Sequence, residues 1–202
     1  MQGAEALLLA RYFMYTQVYF HHVRRAYDRH LQQFLTQWLP NGAFSTDWQE
    51  FTRLSDNEVW AGIYDCYWRP ESVAHEEAAR IVERRHFRRV YTWNPSEDAR
   101  CPDLWDELEV ELVSSFGNKV FTDRDRPTGD HRIFPVRTHN GDIVSSLSIS
   151  GVLDRLPSAT FGYVFADQSV FKEVDNLVQD RRRQRLKTVD VMGGGSDSDT
   201  AE

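Results

Sequence analysis

Residues 5–21 read Glu-Ala-Leu-Leu-Leu-Ala-Arg-Tyr-Phe-Met-Tyr-Thr-Gln-Val-Tyr-Phe-His. This stretch is apolar enough to be confused with a signal peptide or a membrane span. No basic leader precedes it, Arg11 and Gln17 interrupt it, and no small-residue cleavage site follows. Its uninterrupted apolar run is too short to cross a bilayer. It therefore reads as a helix, and Leu7, Leu8, Leu9, Tyr12, Phe13 and Tyr15 leave it almost no polar face. Such a helix is expected to be covered by protein on nearly all sides. No residue ahead of it offers that cover, and no Ser, Thr, Asp or Asn stands near Gly3 to cap its start. The expectation is a partner surface outside this chain: an upstream part of a longer protein, or another subunit.

Beyond this stretch, Val23, Tyr27, Leu31, Phe34 and Trp38 keep helical spacing until Pro40 and Gly42 stop it. Residues 4–39 are thus one long helix, or two joined near His21. Ser45-Thr46-Asp47 opens a short helix through Phe51. Ser55 and Glu58 form a capping box for a helix through Tyr67, which Pro70 stops. Residues 71–85 read as a further helix with Ala74, Ala78, Ile81 and Val82 inward. The period then changes, with strands at 86–93, 119–122, 133–138, 143–148 and 160–165. Asn140-Gly141 between the third and fourth of these signals a hairpin. Asn94-Pro95-Ser96 reads as a turn, 103–115 as a helix closed by Gly117, and 169–183 as a last helix. The fold class is α+β: a helical half packed on a smaller mixed α+β lobe. Divisions fall at 1–92, 93–186 and an acidic tail over 187–202, with contacts shared between the first two.

The 202 residues carry 24 Lys+Arg against 31 Asp+Glu, a net charge of −7. That balance argues against a dedicated nucleic-acid binder and gives no membrane signal. Cys66 and Cys101 are too few for a disulfide framework and fit a reduced, cytoplasmic protein. Only Lys119, Lys172 and Lys187 are lysines; the arginine excess suits phosphate, though codon bias alone would give it. The runs Arg84-Arg85-His86-Phe87-Arg88-Arg89 and Arg181-Arg182-Arg183 read first as helix ends that offset the macrodipole, and second as phosphate contacts. His21 and His22 are adjacent and cannot chelate one metal from one helix face. His22 and His30 could share a face, but nearby carboxylate partners are not evident, so no metal site is assigned within the chain. Arg11, Tyr15, Tyr19 and His22 are spaced four, four and three. One face carrying an Arg and two phenols could line a pocket for a phosphorylated, ringed ligand, and equally could be a set of satisfied core residues.

Residues 5–21 with Val23-Arg24-Arg25, together with 51–59 (Phe-Thr-Arg-Leu-Ser-Asp-Asn-Glu-Val) and 79–87 (Ala-Arg-Ile-Val-Glu-Arg-Arg-His-Phe), resemble the HD-domain phosphohydrolases. The resemblance is to the segment after the catalytic core in the bacterial dNTP triphosphohydrolase-like branch, related to the vertebrate SAM- and HD-domain dNTPase. The α+β half looks like that family's phosphohydrolase-associated C-terminal region. The family's defining His, His-Asp and Asp metal ligands are missing here and lie, in the family, upstream of this segment. The resemblance implies the C-terminal portion of a metal-dependent nucleotide phosphohydrolase, inactive alone. A divalent metal such as Mg or Mn would be held elsewhere in the complete enzyme. It implies phosphate contact for Arg11, sugar contact for Tyr19 and a looser ring contact for Tyr15. It puts His21 near subunit and nucleotide-activator contacts, and His22 where the family usually has Lys. Expected partners are a missing HD core or another subunit, a nucleotide, and further copies of the chain. The alternative is a non-catalytic oligomerisation or nucleotide-sensing subunit.

Overall fold

The structure is a computed structural model that describes residues 2–125, 132–156 and 161–193, with side chains to residue 187. The opening stretch forms α1 (Gln2–Met14), a π-helical turn (Tyr15–Tyr19) and, after a break at Phe20 and His21, α2 (His22–Trp38). Two joined helices are thus what forms. The join is pinned to the rest of the fold: Phe20 stacks on Phe161 at 5.1 Å, and the Tyr163 hydroxyl donates to the Phe20 carbonyl at 2.8 Å.

Next come α3 (Trp48–Phe51), capped by Asp47, and α4 (Asp56–Tyr67), where both arms of the Ser55/Glu58 capping box are made. The helix expected over 71–85 is shorter: α5 spans His75–Val82, because residues after Pro70 turn instead, with the Ser72 and His75 amides bonded to the carbonyls of Arg69 and Ser72. Helices α2, α4 and α5 enclose one core, centred on Phe34, Ile63, Cys66, Ala74 and Ala78. Gly62 permits the closest approach there, since a Cβ at that position would sit 2.5 Å from the Trp38 ring.

The lobe follows as β1 (Arg88–Thr92), α6 (Pro95–Arg100), α7 (Leu104–Phe116), β2 (Val120–Asp125), the hairpin β3 (Pro135–Arg137) and β4 (Ile143–Ser145), α8 (Ser146–Ile149), α9 (Gly151–Arg155), β5 (Phe161–Ala166) and α10 (Phe171–Gly193). The fold is α+β. Two expectations change: Asn94 caps α6 rather than making a simple turn, and 146–149 is helical rather than strand. Helix α10 runs into the stretch expected as tail, and residues 194–202 lie outside the described residues.

Strand β5 lies between β1 and β2, antiparallel to both. It is covered on both faces, which is why Phe-Gly-Tyr-Val-Phe-Ala is apolar throughout rather than alternating. Tyr163 and Phe165 face α2 and pack with Ala26 and Phe87. Val164 and Ala166 face the other way, onto α7 and α10, in the largest core with Leu108, Leu112, Val174 and Val178. The helical half and the lobe therefore share the α2 surface. His30, weighed above beside His22, is part of that seam. Its Nε2 accepts the Phe87 amide at 3.1 Å, so Nδ1 carries the proton and donates to Glu77 at 2.8 Å.

Candidate functional site

Helix α1 contains no buried residue. One side, including Glu5, Leu8, Leu9 and Tyr12, is half-covered and meets α9, where the Ser150 hydroxyl donates to Glu5 at 2.6 Å. The other side, with Leu7 (70% exposed), Phe13 and Met14, faces solvent, as does Val18 in the π turn that follows. Apolar exposure of this kind is what contact surfaces generally show.

The polar groups on this helix are ordered in a row. Arg11 donates to the Tyr15 hydroxyl at 3.3 Å, with its guanidinium 5.0 Å from that ring's centre. Tyr15 and Tyr19 meet edge to face at 5.5 Å. Arg24 closes the row, 5.4 Å from the Tyr19 ring and donating to its carbonyl at 3.2 Å. The π turn, closed by the Phe20 amide on the Tyr15 carbonyl at 2.9 Å, sits between the two phenols; such turns recur at functional sites. The structure thus brings together Arg11, Tyr15 and Tyr19. Arg11 and Tyr19 are exposed, whereas the half-buried Tyr15 ring is stacked on Phe20 at 5.7 Å.

His22 does not join them. His21 occupies the extended capping position before α2, which turns His22 away from the row, although the two imidazoles still lie 4.5 Å apart. His22 instead lines a cavity of about 580 Å³ with His86, Arg88, Arg89 and Lys172, and Val23, Gln168 and Phe171 complete its wall. Burial, then Arg89 and the His21 and His86 rings, hold the His22 imidazole below its usual range. Arg89 approaches its Nδ1 at 3.4 Å. The Arg84–Arg89 run signalled part of this cavity. Gln168, Phe171 and Lys172 carried no signal, because they arrive from the β5–α10 connection and the first turn of α10, far along the chain. The second basic run is not at a helix end, because α10 continues to Gly193; its arginines sit mid-helix and are held by ion pairs, Arg181 with Glu111 at 2.7 Å, Arg182 with Glu97, and Arg183 with Asp180 at 3.1 Å.

Among the described residues, no three of His, Cys, Asp or Glu come together as metal ligands, so a divalent metal finds no donor set there. Nor is any helix long and apolar enough, among those residues, to cross a membrane.

No curated protein matches the chain. Among solved structures, it is similar to a hypothetical protein from Aquifex aeolicus, with a TM-score of 0.69 and 25% identity over 87% of this chain and 44% of that one. It also shares the fold of a phosphohydrolase from Bacteroides thetaiotaomicron VPI-5482, with a TM-score of 0.52 and 18% identity over 80% of this chain and 48% of that one. The chain spans less than half the length of either. Residues 1–107, which carry α1, the Arg11–Tyr19 row and the helical core, match the family model of the HD associated region. By that match the chain belongs to the HD-associated-region family.

Proposed function

We propose that this chain is the HD-associated portion of a nucleotide phosphohydrolase acting on dNTPs, and that it completes an active site whose catalytic half lies outside it. The observation that carries this reading is the Arg11–Tyr15–Tyr19 row on a helix with one bare apolar side. Docking of the catalytic half on that side would desolvate the row. Arg11 would then balance phosphate charge in a medium of low dielectric, where a guanidinium acts most strongly. Tyr19 would hold the sugar, and Tyr15, already engaged by Arg11, would fix the guanidinium and meet the ring. Any divalent metal would be held by the other half. Alone, the chain should leave dGTP intact with Mg²⁺ or Mn²⁺. Joined to a catalytic half bearing the His, His-Asp and Asp set, it should support hydrolysis, and Arg11→Ala should lower kcat/KM about 100-fold. Hydrolysis by the chain alone, or an Arg11→Ala enzyme equal to wild type, speaks against the proposal.

A second reading, nucleotide sensing, is favoured by the cavity at His22. Three fixed cations and two imidazoles line it, and none of its lining residues is a carboxylate. A bound polyanion would favour the imidazolium, so binding takes up a proton. His22, held below its usual range in the free chain, should titrate higher with ligand, so affinity should grow as pH falls through the liganded value and level off below the free one. NMR titration of His22 with and without dGTP, and with sulfate as a probe of constant charge, measures this. An unmoved His22 titration with both rejects the sensing role and leaves the first reading standing.

A further inference from the structure

A different surface, on the opposite side of the helical core from its packed interior, has no role in the reading above. Along α4, Trp60, Tyr64 and Trp68 recur every four residues and form one outward stripe. Trp68 is 75% exposed and Trp60 50%, and the Trp60 and Tyr64 rings are 6.2 Å apart. At the stripe's N-terminal end a groove of about 580 Å³ opens between α2, α4 and α5. Its walls are apolar: Tyr27 and Leu31 from α2, Val59, Trp60 and Ile63 from α4, and Ile81 from α5. Its charged rim is Asp56 and Asp28 on two sides, Asp28 being paired with Arg24 at 3.7 Å, and Arg84 on the third. Trp48 and Phe51 on α3 add further exposed rings to the same segment.

Charge decides what can settle here. Residues 44–72 hold six carboxylates, Asp47, Glu50, Asp56, Glu58, Asp65 and Glu71, against Arg53 and Arg69. More than half of the chain's net −7 is gathered on this one segment. A second copy would bring the same excess against itself, and an anionic membrane or nucleic acid would be repelled. Exposed Trp and Tyr are the residues most often found at the centres of protein interfaces. Ring faces and carboxylates together attract cationic side chains.

We propose that the α2–α4–α5 groove and the Trp60–Tyr64–Trp68 stripe dock a basic amphipathic helix of a protein partner. One turn of its apolar face would fill the groove, and its Lys or Arg residues would meet Asp28, Asp56 and the indole faces. This is the helix-in-groove mode, in which apolar anchors one turn apart supply affinity and the charged rim supplies selection.

The test titrates the full chain against a fluorescein-labelled amphipathic peptide of Leu and Lys, about 18 residues or five helical turns long. A scrambled peptide of the same composition and a Glu-for-Lys version run beside it. The amphipathic basic peptide should bind alone of the three, and more weakly as salt rises. Trp60→Ala should weaken it about tenfold. Asp56→Asn should weaken it and flatten its salt dependence, independently of any packing effect of the Trp60 change. Leu7→Ser with Val18→Ser, on the bare side of α1, should leave it unchanged; this separates the groove from the surface on which the phosphohydrolase reading rests. The proposal is overturned by no binding, by equal binding of the scrambled or acidic peptide, by loss of binding in the α1 variant, or by indifference to both groove variants. A concentration-dependent dimer that Trp60→Ala abolishes, seen by light scattering, would assign the face to a second copy and overturn it equally.

Discussion

Asp167 shows how single side chains tie the two halves together. It stands in the turn after β5 and accepts from Arg80 of α5 at 2.6 Å and from the Ser169 amide at 2.8 Å. Burial opposes its ionisation, but the Ser169 bonds and the Arg80 guanidinium outweigh burial and bring its pKa down to about 2. Because the folded value lies below the unfolded one, this stabilisation is complete above pH 3.8 and is lost as pH falls toward 2. Asp167→Ala should cost about 2 kcal/mol at pH 7 by urea denaturation, and the deficit should vanish near pH 2. A variant with the wild-type midpoint at pH 7 would show that the pair contributes nothing. None of this was legible in the sequence, since the partners stand 87 positions apart. The Arg11, Tyr15 and Tyr19 row was legible, because helical spacing alone puts i and i+4 on one face. His22 was misplaced with them because spacing cannot foresee the break at Phe20 and His21.

At the scale of elements, the closing turn of α5 is the least relaxed. The Arg84 amide bonds back to Ile81 and the Arg85 amide to Arg80, a helix stop that needs a left-handed residue and usually takes glycine. Here Arg84 takes it, at φ 58°. Arg84→Gly should raise stability by about 0.5–1 kcal/mol, read as a higher melting temperature. No gain would mean that the Arg84 side chain returns what its backbone costs, through the groove it borders. Elements with strong local signals matched their expectations: the Ser55/Glu58 box, the Asn140-Gly141 hairpin and the Gly117 stop all fall where read. Ambiguous signals did not. Asn94-Pro95 suits a turn and also a capped helix start, and the structure uses the second. After Ile143-Val144, Ser145 caps α8, and the buried Ser146 hydroxyl donates to the Arg132 carbonyl at 2.5 Å. That bond ends a strand whose hydrophobicity would have carried it further.

At the scale of the whole molecule, the helical reading holds from Glu5 to Tyr19, and the described residues leave that stretch uncovered except where α9 shields one side. The sequence could not give the stacking of the lobe on α2, because β5 is apolar on both faces and its pattern does not say which side meets which helix. A further property follows from where the two thiols lie. Cys66 belongs to the α2–α4–α5 core and Cys101 to the core beneath α7 and α10, and both are free and buried. An alkylating reagent can reach either sulfur only when its own compartment breathes, so each half carries a private clock of its opening. Comparing the two labelling rates would tell whether the halves come apart in one event or in two.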